Sequence, residues 1–185
     1  MAHQIEFDDR MVYSRETPWH KLGVRLPGDA SSDTLKREVF PWNVLECHVE
    51  VDRAPTEDRA APEYKGLRRS DTGALLSIVP ETYGVIEYAD ALSLLDAAST
   101  DGATRYVTAG TLDHGRRGWA LATIPSETVE VAGSPLKPYL LMSTAHDLSR
   151  ALRVLFTQVY VVCANTEGAA LSDAGVKIGA RGDMG

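Results

Sequence analysis

The 185 residues carry 19 Lys+Arg against 26 Asp+Glu, a formal net charge of -7, and 44% of them are hydrophobic. One globular domain around a single buried core fits this length and composition, which exclude a disordered acidic chain and a wholly basic protein that coats nucleic acid. An anion-binding role therefore has to rest on a local patch and not on the global field. Residues 1–60 hold 8 basic and 12 acidic side chains and residues 61–185 hold 11 and 14, so the acid excess is densest at the front.

No stretch reaches eighteen uncharged apolar residues, and Glu6, Asp8 and Asp9 stand where a signal peptide has its basic start. Neither a signal peptide nor a membrane span is expected. Cys47 and Cys163 sit in apolar runs and read as reduced, mostly buried thiols of a cytoplasmic protein.

Residues 1–41 mix charge, Pro and Gly and read as a lead-in that wraps a core. Residues 42–52 read as a first strand, with Val44, Cys47, Val49 and Val51 on a buried face and an irregularity near Glu46. Residues 53–62 read as a surface loop. Residues 65–71 and 74–79 flank Asp71-Thr72-Gly73 and predict a β-hairpin. Tyr88, Ala91, Leu92 and Leu95 fall at i, i+3, i+4 and i+7, which predicts an amphipathic helix over 87–98, ended by Asp101-Gly102.

Residues 104–111 and 118–124, joined by a polar loop with Gly115, Arg116 and Arg117, predict a second hairpin. After a break at residues 132–135 comes a β-compatible run over 139–145, ending at His146-Asp147. Residues 150–157 fit both periods and are read as strand, and helical spacing runs from Val159 to about Leu171. The expected fold is α+β: an antiparallel sheet built from hairpins with helices packed on one face, formed by residues 42–171 as a single domain. No Gly-rich phosphate loop joins a strand to a helix, which disfavours a doubly wound nucleotide-binding fold.

Among the five histidines only His48 stands close to a cysteine, Cys47, and neighbours on a strand point to opposite faces. No metal and no cofactor is expected. His146, Asp147 and Cys163 form a conceivable nucleophilic set. Against it, the apolar surroundings of Cys163 raise a thiol pKa, and Asp147 fits a residue that caps backbone amides in a turn. Lys65, Arg68 and Arg69 on one strand, Arg116 and Arg117 at a hairpin tip, and Arg150 and Arg153 on a further segment would line a positive groove if these elements are neighbours. Tyr64, Tyr83, Tyr106 and Trp119 would supply stacking surfaces there. Arg pairs on hairpins also serve as solvated ends that block edge pairing. Asn165-Thr166 interrupts an apolar run and calls for hydrogen bonds that fix a helix against a loop.

Taken in order, the motifs are Thr17-Pro18-Trp19-His20-Lys21-Leu22-Gly23, Arg69-Ser70-Asp71-Thr72-Gly73, Ala109-Gly110-Thr111-Leu112, Gly115-Arg116-Arg117-Gly118-Trp119, His146-Asp147, and Phe156-Thr157 running into Val161-Val162-Cys163-Ala164-Asn165-Thr166. This series resembles the phage/plasmid-like protein family, a domain of unknown function from bacteriophage, plasmid and actinobacterial genomes, over about residues 17–171. The family usually has Gly after the His-Asp pair, where this chain has Leu148, and usually runs on beyond the Cys-x-Asn-Thr motif. Residues 172–185 are accordingly expected to be a flexible tail or the cut end of a longer protein.

The resemblance implies a mobile-element setting and the handling of DNA. Hairpins followed by a helix are also similar to the β-β-β-α core of single-strand-annealing recombination mediators, whose rings hold single-stranded DNA in a basic groove. The leading expectation is a non-enzymatic protein that binds single-stranded nucleic acid as a homo-oligomer and anneals strands. Arg68, Arg69, Arg116, Arg117, Arg150 and Arg153 would contact phosphates, and Tyr106 or Trp119 would stack on bases. The alternative is a protein-interaction module that binds a host or phage partner through the acidic N-terminal segment. A third reading is a hydrolase centred on Cys163 and His146.

Overall fold

Apolar runs that the sequence separates by short turns pair with their neighbours into three sheets. The computed structural model describes residues 4–15, 17–26, 28, 30–50, 60–98, 104–123, 129–131, 134–136, 138–173 and 177–179. In chain order the elements are β1 (Met11–Tyr13), β2 (Val24–Arg25), α1 (Ser32–Glu38), β3 (Val44–Glu50), β4 (Ala60–Arg69), β5 (Leu75–Pro80), α2 (Tyr88–Ala98), β6 (Arg105–Leu112), β7 (Arg117–Thr123), β8 (Val129–Val131), β9 (Ser134–Leu136), β10 (Tyr139–Ala145), β11 (Arg153–Thr157), α3 (Ala164–Asp173) and β12 (Lys177–Gly179). The large sheet has the order β12-β11-β10-β7-β6-β1-β2, a second is the meander β3-β4-β5, and β8 pairs with β9. All pairings between strands are antiparallel except that of β1 with β2.

The mixed α/β class and the two expected hairpins, β4–β5 and β6–β7, are present. The helices do not share one face. Leu35 and Val39 in and after α1, and Tyr88, Ala91, Leu92 and Leu95 of α2, pack with Ala109, Ala120, Ala122, Leu140 and Met142 of the large sheet. Ala170 of α3 packs on the other side, with Val107, Trp119, Leu121, Leu141 and Leu155. Alternate residues of β6, β7 and β10 thus enter different cores, so both faces of these central strands are buried.

Other expectations shift locally. The β3 irregularity falls between His48 and Glu50 instead of near Glu46, and Val44 is the buried member of the strand. Val51 and Asp52 of the expected strand and residues 53–59 of the expected loop lie outside the described residues, and 60–62 already belong to β4. The Asp101-Gly102 helix end also lies outside them. Helix α3 begins at Ala164 and not at Val159, because the Thr166 hydroxyl accepts hydrogen bonds from the Val162 and Cys163 N–H groups at 2.9 and 3.0 Å and sets the start of the helix there. Residues 177–179, in the segment read as a tail, pair with β11. Ahead of β3, Ser31 caps α1 by accepting from the Thr34 N–H.

The His146-Asp147 turn holds a leucine in the left-handed region that favours glycine. Asp147 accepts from the Ser149 N–H at 2.9 Å, and Leu148 between them takes φ +62° with its side chain exposed. A left-handed L-residue costs about 1–2 kcal/mol that glycine avoids, and an exposed leucine returns little packing. Leu148→Gly is expected to raise the unfolding free energy by about 1 kcal/mol, read as a higher denaturation midpoint with unchanged slope; a lower midpoint would contradict the strain.

Candidate functional site

The two larger sheets meet at an aromatic junction. Trp42, just before β3, lies edge-on to Tyr88 of α2 with ring centroids 5.4 Å apart, and Tyr88 stands 4.6 Å from His146 at the end of β10. The Tyr88 hydroxyl donates to the Gly115 carbonyl at 2.9 Å. Gly118 makes room for the Tyr88 ring, since a Cβ there would lie 2.5 Å from Cε1, and Gly110 does the same for Trp119, at 2.2 Å from Cη2. The glycines of the second-hairpin motifs therefore seat aromatic rings. His146 is buried, Nε2 has no hydrogen-bond partner among the described residues, and burial pulls its pKa down to about 4, against a smaller upward pull from Asp147.

Arg69 sits over the Trp42 ring at 4.6 Å and is 1% exposed. Its guanidinium donates to both Asp71 oxygens, at 3.0 and 2.8 Å, to Asp8 Oδ2 at 3.1 Å and to the His114 carbonyl at 3.2 Å. The guanidinium holds the Asp71 carboxyl below its usual range. Asp8 also bonds His114 Nδ1 at 2.6 Å, which raises the imidazole pKa. Asp9 accepts from the Gly115 N–H at 2.7 Å. The acidic N-terminal segment thus covers the Arg69 end of β4 and the turn between β6 and β7. Arg69 offers no free donor face to a phosphate.

Arg116, Arg117, Arg150 and Arg153 gather around the end of β10. Arg117 pairs with Ala145, the His146 N–H donates to the Arg116 carbonyl, and Arg153 pairs with Ser143. Three have partners: Arg116 lies 3.7 Å from Asp113, Arg117 donates to Gln4, and Arg150 binds the buried Glu167 carboxylate at 2.7 Å. Ser143 donates to the same Glu167 oxygen at 2.8 Å, while Oε2 has no hydrogen-bond partner among the described residues. Arg68 is exposed and Arg153 half-buried, and neither makes an ion pair among the described residues.

Tyr106 and Trp119 are buried, the first donating to Asp96 at 2.7 Å and the second to Thr108 at 3.4 Å. A base could reach either ring only by opening a core. Of the other motif residues, Trp19 is exposed and edge-on to His20, and His20 Nε2 lies 3.0 Å from the Val162 carbonyl, which ties the first motif to the last. Cys163 is buried against Thr166, Sγ to Oγ1 3.5 Å, and Asn165 is exposed on the first turn of α3. Cys163 and His146 belong to different cores and no hydrogen bond joins them, whereas a thiol nucleophile needs a base in reach. Among the described residues no three His, Cys, Asp or Glu side chains are placed to hold a metal, and no helix is long and apolar enough to cross a membrane.

The outer face of β3-β4-β5 carries Tyr64 and Arg68, both singled out in the sequence, together with the aliphatic residues Leu45, Leu75 and Ile78, which were not. The register aligns Leu45, Arg68 and Leu75 in one row, Cys47, Gly66 and Ile78 in the next, and Tyr64 with Pro80 in a third. Leu45, Tyr64, Leu75 and Ile78 are between 39% and 51% exposed. Alternation on β4, with Leu67 and Arg69 inward, was the available signal.

Residues 75–181 match a family described as Domain of unknown function (DUF932). No curated protein and no solved structure matches the chain.

The buried neutral His146 makes stability pH-dependent. The unfolded chain binds a proton near pH 6.5 and the folded chain resists it to about 4, so the contribution is complete above 6.5 and is lost as pH falls through that window. The full span amounts to something on the order of 3 kcal/mol. Denaturant titrations at pH 7 and pH 5 should show a smaller acid-side loss in His146→Phe than in the parent chain; equal losses would mean that His146 is not held neutral.

Proposed function

Because the chain belongs to the family described as Domain of unknown function (DUF932), a description that carries no activity, we propose from its own surface that it binds single-stranded nucleic acid without catalysis. The observation that carries this reading is the exposed outer face of β3-β4-β5, where Tyr64 and Arg68 lie on the same side of β4 with Gly66 between them. An exposed sheet face with an aromatic ring and a guanidinium that makes no ion pair among the described residues suits a strand whose bases stack while its phosphates meet positive charge. In this reading Tyr64 replaces Tyr106 and Trp119, whose rings are buried. Arg68 supplies the nearest phosphate contact. Whether Arg116, Arg117 and Arg153 take part is read by their alanine variants in an oligonucleotide-binding assay.

The order β3, β4, β5, α2 is that of the β-β-β-α core of annealing mediators, an argument from fold analogy. It supports the finer reading of a homo-oligomer that anneals strands in a phage or plasmid setting. The aliphatic residues Leu45, Leu75 and Ile78 on the same face favour a second reading, a protein-docking surface.

Anisotropy of a labelled single-stranded oligonucleotide at about 50 mM salt is expected to show binding that weakens steeply with added salt. Tyr64→Ala and Arg68→Ala should each weaken it about ten-fold. No binding at low salt rules the proposal out. A partner captured after nuclease treatment and lost on Ile78→Glu would establish the docking surface instead, and light scattering with and without the oligonucleotide reads the oligomer.

A further inference from the structure

The turn between β6 and β7 is built to hold an anion. Asp113, His114 and Gly115 follow one another with φ of +55°, +60° and +85°. The two non-glycine residues each hold a conformation that costs about 1–2 kcal/mol. In return the His114 and Gly115 N–H groups converge on one carboxylate, that of Asp9, at 3.2 and 2.7 Å. Successive N–H groups aimed into one concavity form an anion nest. Beside it, Arg69 Nη1 and His114 Nδ1 hold the two oxygens of Asp8 at 3.1 and 2.6 Å. The next residue, Arg116, keeps a buried Nε without a partner among the described residues.

The anion in this nest comes from the chain itself. Of the two apolar side chains in residues 4–9, Ile5 is buried and Phe7 is fully exposed. Beyond the carboxylates the segment is tied by the Asp113 N–H to the Gln4 carbonyl at 3.2 Å, by Arg69 Nη1 to the Asp8 carbonyl at 3.2 Å, and by Arg117 to the Gln4 side chain. Asp9 is costly as a buried charge, since burial pushes its carboxyl above the usual range. His114 is half-exposed, so the nest lies at the surface once the segment is moved.

We propose that Asp8 and Asp9 stand in for a phosphate group, and that the nest of His114 and Gly115, with Arg69 and the His114 ring, is a phosphate site covered by residues 4–9. The N-terminal segment is then an internal competitor: the site takes a phosphate of the nucleic-acid backbone when residues 4–9 lift. The identity of the ligand rests on the nucleic-acid reading above. The site itself does not, because inorganic phosphate tests it alone.

The test uses the full chain and its D8A/D9A variant, with folding checked by circular dichroism. Inorganic phosphate is titrated by calorimetry, and labelled single-stranded oligonucleotide by anisotropy. Removing the competitor should raise the affinity for phosphate about ten-fold and that for oligonucleotide by a similar factor. Adding His114→Ala should take most of the gain away. A folded D8A/D9A variant with the phosphate affinity of the parent chain overturns the proposal. Tighter phosphate with unchanged oligonucleotide binding establishes the site and removes nucleic acid as its ligand. If the double variant does not fold, Asp8→Ala carries the comparison, with a smaller gain expected and no gain overturning the proposal.

Discussion

The contact of Tyr88 with Trp42 and His146 is the constraint on which the arrangement of the two larger sheets depends. Tyr88 opens α2, Trp42 leads into β3, and His146 follows β10, so three rings from three places in the chain close one junction. It forms only because Gly118 has no side chain, which lets the Tyr88 ring lie against β7, and because the Gly115 carbonyl takes the Tyr88 hydroxyl proton. A buried phenol without that acceptor would lose on the order of 1–3 kcal/mol. Arg69 then lies on the outer side of Trp42, and its position brings Asp8, Asp71 and the 113–116 turn to the same place. The motif glycines, the aromatic rings and the buried arginine are parts of one packing solution.

Local pattern made much of this fold legible. The stripe Tyr88, Ala91, Leu92, Leu95 is buried throughout, and the two hairpins turn at Asp71-Thr72-Gly73 and at residues 113–116. What was not legible is short or depends on distant partners. β1 and β2 hold three and two residues, too few to show a period, and are strands because β6 lies beside β1. The placement of helices on both faces could have been read from β10, where Tyr139-Leu140-Leu141-Met142 runs apolar without alternation, the mark of a strand covered on both sides. The start of α3 turned on one hydroxyl, that of Thr166.

The candidate site was legible in its residue types and not in their pairing. Arginine pairs stood out in the sequence, but their carboxylate partners are set by the fold: Asp8 reaches Arg69 across 61 positions, and Glu167 on α3 reaches Arg150 ahead of β11. Tyr106 and Trp119 are stacking residues by type and core residues by position, since β6 and β7 are buried on both faces. Tyr64 escapes because β4 in the small sheet keeps one face outward.

Burial therefore sorts the arginines into two kinds, and this changes what a net charge of -7 means. Arg69 and Arg150 are desolvated, and a desolvated cation needs a matched carboxylate; part of the acid excess answers that need, with Asp8, Asp71 and Glu167 facing them. Arg68 and Arg153 have no such partner among the described residues. The acidic total is thus partly internal, and the charge that a ligand meets on the outer face of β3-β4-β5 is set by which cations the fold has left unpaired. At the 113–116 turn the same logic runs through the backbone, where successive N–H groups hold Asp9 while Asp8 faces Arg69 and the His114 ring, so two acids of the N-terminal segment meet donors of the fold.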